Sequence, residues 1–166
     1  MVVTEPGEGA GRQADAAVTT TAGCVLAVQT ADCAPILLLA DGGIGVVHAG
    51  WRGLEAGVIE AAAAALGALG SVVHTAVLGP CIRARCYEFG PAELDQVARR
   101  YGPTVRGTTS WGTPALDLAA GVAVAAERLG LTFDDGGTCT ACSPRHFSHR
   151  ARGDAGRQAL VAWLEP

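Results

Sequence analysis

The sequence contains no lysine: all 12 basic residues in its 166 are arginine. Schiff-base catalysis through a lysine is therefore excluded, and so is the phosphate loop that depends on one. Aromatic residues make up only 5%, too few for a platform on which successive bases stack. A net charge of −4 argues against a nucleic-acid partner by bulk electrostatics. Methionine occurs once, as Met1, so the chain has no internal thioether for an axial copper ligand. The segment from Met1 to Gly9 has neither a basic n-region nor an apolar h-region, and Gly, Asp or Pro interrupts every longer apolar stretch. Neither a secretory leader nor a membrane span is expected. The expected location is cytoplasmic, where the six cysteines stay reduced, as thiols or metal ligands.

What the chain does have is aliphatic bulk and glycine. Hydrophobic residues reach 49%, enough to fill one core, and residues 1–166 are expected to form a single domain. Glycine numbers 23 without a collagen-like period, as in a loop-rich enzyme. Patterning predicts strands at 16–20, 25–29, 36–40, 44–48 and 72–78, with Asp41-Gly42-Gly43 as a hairpin turn. Helices are predicted over 54–66, 91–101 and 115–129, the second opened by Pro91 and the third closed by Gly130. Residues 106–113 read as a loop, and 146–150 and 158–164 as closing strands. Strands and helices mix without strict alternation, which predicts a mixed-sheet α/β (α+β) architecture.

Cys33 and His48 form the first chemical constellation. The hairpin is predicted to set Ile36 roughly opposite His48, with Cys33 just beyond, so thiol and imidazole meet at one end of the sheet. Such a pair can hold zinc as two of three or four ligands, or act as nucleophile and base; local spacing alone favours the plainer reading, Cys33 as a small buried apolar residue and His48 as a satisfied strand-end residue. Arg52 follows at the start of a helix, where a guanidinium and free backbone N–H groups suit a phosphate or carboxylate. Gly79-Pro80-Cys81-Ile82 places a thiol at a strand end beside a turn. Glu88 can serve as a general base or bind a ribose hydroxyl. The arginine-rich run from Arg145 to Arg152 contains Arg150, a candidate for an anionic substrate, although basic runs are usually solvated faces. Cys81, Cys86, Cys139 and Cys142 offer an alternative four-cysteine zinc site.

Taken in order, several segments resemble the YfiH-like family, also called the multicopper polyphenol oxidase or laccase-domain family. They are Ala14-Asp15-Ala16, Thr30-Ala31-Asp32-Cys33-Ala34-Pro35 and His48-Ala49-Gly50-Trp51-Arg52-Gly53. Next come Leu78-Gly79-Pro80-Cys81-Ile82, Tyr87-Glu88-Phe89-Gly90, Asp117-Leu118 and Cys139-Thr140. Phe147-Ser148-x-Arg150 and Gly156-Arg157 complete the set. The resemblance implies a layered α/β/β/α sandwich and one zinc held by His, Cys and His, the last two mapping onto Cys33 and His48. It also implies phosphorolysis of purine nucleosides such as adenosine and inosine, with phosphate as co-substrate, and adenosine deamination.

The sequence departs from the family pattern twice. The family carries its first ligand His in a Gln-x-His-Gly segment upstream, and no His precedes His48 here. The chain is thus expected to lack the family's N-terminal segment, to hold its zinc more weakly, and to invite a homodimer through bared sheet edge. His149 stands where the family usually has Tyr.

The leading expectation is therefore a zinc-dependent purine nucleoside phosphorylase or adenosine deaminase. Cys33, His48 and Arg52 would be catalytic, and Arg52, Gly79, Cys81, Glu88 and Arg150 would bind substrate. The alternatives are a metal-free cysteine hydrolase of the peptidoglycan-editing type using Cys33 and His48, a copper polyphenol oxidase, and an inactive scaffold. Copper ranks lowest, because a multicopper cluster needs many more imidazoles than four.

Overall fold

A computed structural model describes residues 1–165. Nine strands are assigned among them: β1 (Ala16–Thr19), β2 (Leu26–Thr30), β3 (Ala34–Ala40), β4 (Gly43–Ala49), β5 (Val73–Leu78), β6 (Arg106–Thr108), β7 (Pro114–Leu116), β8 (Thr132–Asp135) and β9 (Gln158–Ala162). The helices are α1 (Trp51–Ala56), α2 (Val58–Ala68), α3 (Pro91–Tyr101), α4 (Leu118–Arg128) and α5 (His149–Arg152). The main sheet has the order β1-β4-β3-β5-β8. Its first four strands are antiparallel, and β8 joins β5 in parallel, so the sheet is mixed, as the patterning predicts.

Two apolar layers hold the sheet. On one side Ile36, Leu38, Val47, Leu54, Ile59 and Leu66 pack with residues of α3 and α4 in the larger core. On the other, the antiparallel β2–β9 pair lays Leu26 and Val28 against Ile44 and Val46. The order helices, sheet, smaller sheet supplies the α/β/β part of the expected sandwich. The alternation of β2, with Leu26, Val28 and Thr30 buried and Ala27 and Gln29 exposed, is that of a strand covered on one face.

Several predicted boundaries move, each for a local reason. The expected helix 54–66 is two helices, because Gly57 takes φ +82° and ends α1 before α2 begins. The expected helix from Ala115 starts at Leu118 instead. Asp117 caps it, accepting from the Ala120 backbone N–H at 3.0 Å, while Pro114–Leu116 pairs with β6. The segment 146–150 is not a strand: Ser148 caps the single turn of α5. Sequence patterning gives no sign of β8, whose Thr-Phe-Asp-Asp has only one apolar residue; parallel pairing to β5 makes it a strand. Its two carboxylates at the sheet edge also discourage pairing with another chain.

Gly57 gives a first test. Replacing it with Ala puts a Cβ at left-handed φ, which costs about 1–2 kcal/mol. The nearest obstacle is the mobile tip of Arg100, so steric clash adds little. The urea midpoint of Gly57→Ala is expected to fall accordingly, with an unchanged m-value. An unchanged midpoint would mean that the α1–α2 junction does not need its positive φ.

Candidate active site

The β3–β4 register brings the first constellation together, shifted by one residue from expectation. Pro35, not Ile36, lies opposite His48, because the turn holds only Asp41 and Gly42 and pairs Ala40 with Gly43. Extending the ladder one step past Ala34–Ala49 sets Cys33 against Gly50, diagonal to His48 on one face. Gly50 is small for a reason visible here: a Cβ on it would stand 3.1 Å from Cys33 Sγ. On the other side of β4, β1 begins at Ala16 opposite Val47, and the backbone carbonyl of the preceding Asp15 accepts from the His48 N–H at 2.7 Å.

His48 thus sits between two partners. Its Nδ1 is 2.9 Å from Asp15 Oδ1, and the Cys33 side chain lies beside the ring. The Cys33 contact is the main reason its pKa rises to about 9; Asp15 adds to the rise, and burial opposes it. Without metal the ring is therefore an imidazolium at neutral pH. Asp15 holds the ring by the arrangement that orients metal-bound or catalytic histidines. Sequence reasoning missed Asp15 as a site residue, although it lies in the Ala14-Asp15-Ala16 segment.

These groups line a cleft of about 300 Å³ with Trp51, Arg52 and Gly53. Arg52 is exposed, its guanidinium 4.4 Å from the Trp51 ring centre. The expected contribution of a helix N-terminus has little substance, because α1 is only six residues long and its dipole is small. Any anion attracted here is held chiefly by the guanidinium.

A second cleft, of about 760 Å³, adjoins the first. Glu88, Phe89, Trp111 and Arg150 are among its lining residues. An aromatic contact links the clefts: Trp51 of the first and Phe89 of the second meet edge to face at 5.7 Å, and Tyr87 lies 5.2 Å from Phe89. The Arg150 guanidinium covers the Tyr87 ring at 4.8 Å and donates to the Glu88 carbonyl at 2.8 Å. Burial, followed by the neighbouring Cys33, pushes the Tyr87 hydroxyl up to about 12, so it stays a proton donor. Glu88 accepts from Trp111 Nε1 at 2.9 Å, so one of its carboxylate oxygens is engaged.

Gly79 and Cys81 have a different setting. Gly79 donates its N–H to the Pro35 carbonyl, and a Cβ there would come within 3.0 Å of the Pro35 ring. Cys81 is wholly buried, its thiol pushed up to about 12 by that burial, and it lines neither cleft. Both position the chain near the site rather than face it. In the basic run, Arg152 turns onto the Thr140, Ala141 and His146 carbonyls and Asp154, so it is structural. His149 is exposed at the start of α5, and His74 hydrogen-bonds to Thr75.

Asp32 is the residue that sequence reading most undervalued. It is buried, with φ +96°, the one positive φ outside glycine among the described residues. Its carboxylate accepts from Thr140 Oγ1 and from the Arg150 backbone N–H, each at 2.7 Å, and its carbonyl accepts from Ile82. Asp32 thereby fixes Cys33, its neighbour, relative to Arg150.

Cys33 and His48 offer donor types that zinc takes, with Asp15 orienting the ring, so the residues present fit two positions of a zinc shell. Multicopper chemistry does not fit. The four histidines have separate surroundings, and among the described residues the one trio of His, Cys, Asp or Glu donors within 4.8 Å is Cys86, Cys139 and Cys142, all thiols. Cys81 stays outside that trio, so the expected four-cysteine set is not assembled. Among the described residues no helix is long and apolar enough to cross a membrane.

Comparison with known proteins adds sequence relatives. The family described as multi-copper polyphenol oxidoreductase laccase matches residues 1–165. A purine nucleoside phosphorylase of Streptomyces coelicolor is 42% identical over 156 residues, covering 91% of this chain and 64% of the relative. The chain thus spans somewhat less than two thirds of that relative's length. A solved Neisseria meningitidis protein superposes with a TM-score of 0.86 at 31% identity, over 100% of this chain and 71% of that one. The YfiH protein of Bacillus licheniformis gives a TM-score of 0.81 at 25% identity, over 91% of this chain and 61% of its own.

Proposed function

This chain belongs to the multi-copper polyphenol oxidoreductase laccase family, and from that membership and its paired clefts we propose that it acts in purine nucleoside phosphorolysis. The observation that carries this reading is the junction of two chemistries: the Cys33–His48–Asp15 cluster with Arg52 opens beside an aromatic cleft bearing Glu88 and Arg150. An aromatic wall of Phe89 and Trp111 suits the flat faces of a purine, and the free oxygen of Glu88 suits a ribose hydroxyl. Arg52 and Arg150 suit phosphate.

In the reaction a phosphate oxygen bonds to ribose C1′ as the C1′–N9 bond breaks. The electron pair leaves on N9, and a proton taken up by the base completes its release. Arg52 holds the attacking phosphate, and in the metal-free protein the His48 imidazolium lines the same cleft as a proton donor. Zinc on Cys33 and His48, when bound, supplies a Lewis acid that acidifies water, the chemistry adenosine deamination needs.

The test is hypoxanthine release from inosine with and without phosphate, in metal-free and in zinc-supplemented protein. Release that depends on phosphate is expected. In Arg52→Ala the phosphate KM should rise roughly 10- to 100-fold, the worth of a charged hydrogen bond. No turnover with phosphate and zinc both present would sink the reading for this chain.

One observation favours a second reading. Asp15, His48 and Cys33 form the carboxylate–imidazole–thiol sequence of a cysteine hydrolase, the peptidoglycan-editing type among them. Covalent trapping of Cys33 by an acylating substrate in metal-free protein would support it. Alkylation of Cys33 that zinc prevents would favour the phosphorylase reading.

A further inference from the structure

We propose that Cys86, Cys139 and Cys142 form a metal site of their own for a thiophilic cation, with zinc the ion that the donors fit best. It shares no residue with the Cys33–His48 pair. The three Sγ atoms lie within 4.8 Å of one another, and Cys86 and Cys142 are 3.3 Å apart. A zinc bound at about 2.3 Å to each sulfur would set the sulfurs about 3.8 Å apart, so only small side-chain shifts are needed.

The surroundings are those of a built site. Burial opposes the Cys139 thiolate, but the backbone N–H groups of Arg83, Ala141 and Cys142 stand beside Cys139 Sγ and favour it, lowering the thiol's pKa, as suits a metal-bound thiolate. The Ala141 and Cys142 donors come from the turn that Cys139 itself opens, whose carbonyl accepts from Ser143 at 3.0 Å. Three thiolates on zinc leave one negative charge, and the Arg85 guanidinium hydrogen-bonds to Cys139 and stands near Cys142. Binding replaces the three thiol protons, which pass to solvent.

The elements joined are distant in sequence. Cys86 ends the single-turn segment Ala84–Cys86, and Cys139 is bridged to Cys81 at the end of the β5 path. A metal here staples that segment to the 139–142 turn. Cys86 and Ala141 also line the larger cleft, so the staple fixes one of its walls. Cys142 is exposed, which leaves a fourth coordination position open to water. A Cys86–Cys142 disulfide would be the competing use of these sulfurs, but it would leave Cys139 unpaired amid its three N–H donors.

The experiment is a cobalt(II) titration of reduced, chelator-treated protein, followed by displacement with zinc. Near-ultraviolet thiolate-to-cobalt absorption is expected. It should persist in Cys33→Ser, and be lost when Cys142→Ser or Cys86→Ser is added to that variant. Zinc should raise the thermal midpoint of Cys33→Ser and leave that of the double variant Cys33→Ser, Cys142→Ser unmoved; Cys142 is exposed, so its replacement leaves the core intact. Charge-transfer absorption that vanishes with Cys33→Ser alone would overturn the proposal. So would a titration with no such absorption in protein whose six thiols all react with a thiol reagent once unfolded.

Discussion

His48→Ala is expected to lower kcat/KM for phosphorolysis by about 10²–10⁴-fold, the span for losing a positioned proton donor. Asp15→Asn should cost less, about 10–100-fold, because it leaves the ring in place and removes only the group that orients it. The ordering follows from geometry: the imidazole stands between Cys33 and Asp15, whereas the Asp15 carboxylate, itself on the cleft wall, acts on the ring by holding Nδ1. Steady-state kinetics at saturating phosphate check it. Full activity in His48→Ala would remove the cluster from the reaction, and an Asp15→Asn loss equal to that of His48→Ala would make Asp15 more than an orienting group.

The same contact has a pH signature in metal-free protein. The folded-state pKa of His48 is raised from 6.5 to about 9, so protonation favours the fold. That contribution is complete below about pH 6.5 and lost as pH rises through about 9. The stability difference between parent and His48→Ala should shrink over that window.

Asp32→Ala is expected to destabilise the fold by about 2–6 kcal/mol, because two donors lose their acceptor and each costs about 1–3 kcal/mol. The donors are Thr140 Oγ1 and the Arg150 N–H, both otherwise tied to this one carboxylate. Asp32→Asn should cost roughly half as much, since an amide keeps one acceptor oxygen and asparagine tolerates positive φ. Asp32→Gly separates the two causes: glycine relieves the backbone strain, about 1–2 kcal/mol, but loses both bonds, so it should lie between Asp32→Ala and the parent. Urea unfolding of the three variants measures this. A midpoint for Asp32→Ala within 0.5 kcal/mol of the parent, about the size of an ordinary surface change, would mean the buried carboxylate is not the tie described.

Local chemistry in the sequence determined much of the frame. The Asp41-Gly42 turn between two apolar runs fixes the β3–β4 hairpin, and Pro91 with Arg99 and Arg100 marks α3 from end to end. The same hairpin, read one residue out of register, still carries Cys33 and His48 to one end of the sheet, because both lie beyond the turn by nearly equal lengths. Where neighbours far along the chain decide, the sequence is silent. Thr132–Asp135 is a strand only because β5 offers it a parallel edge, and Ala115 and Leu116 leave the helix because β6 pairs with them. The three-thiol cluster joins Cys86 to Cys139 and Cys142, and Asp32 reaches Thr140 and Arg150, across more than 50 and 100 residues respectively. Such ties are selected by the packing of the whole core, which brings buried polar groups to partners that no local spacing can announce.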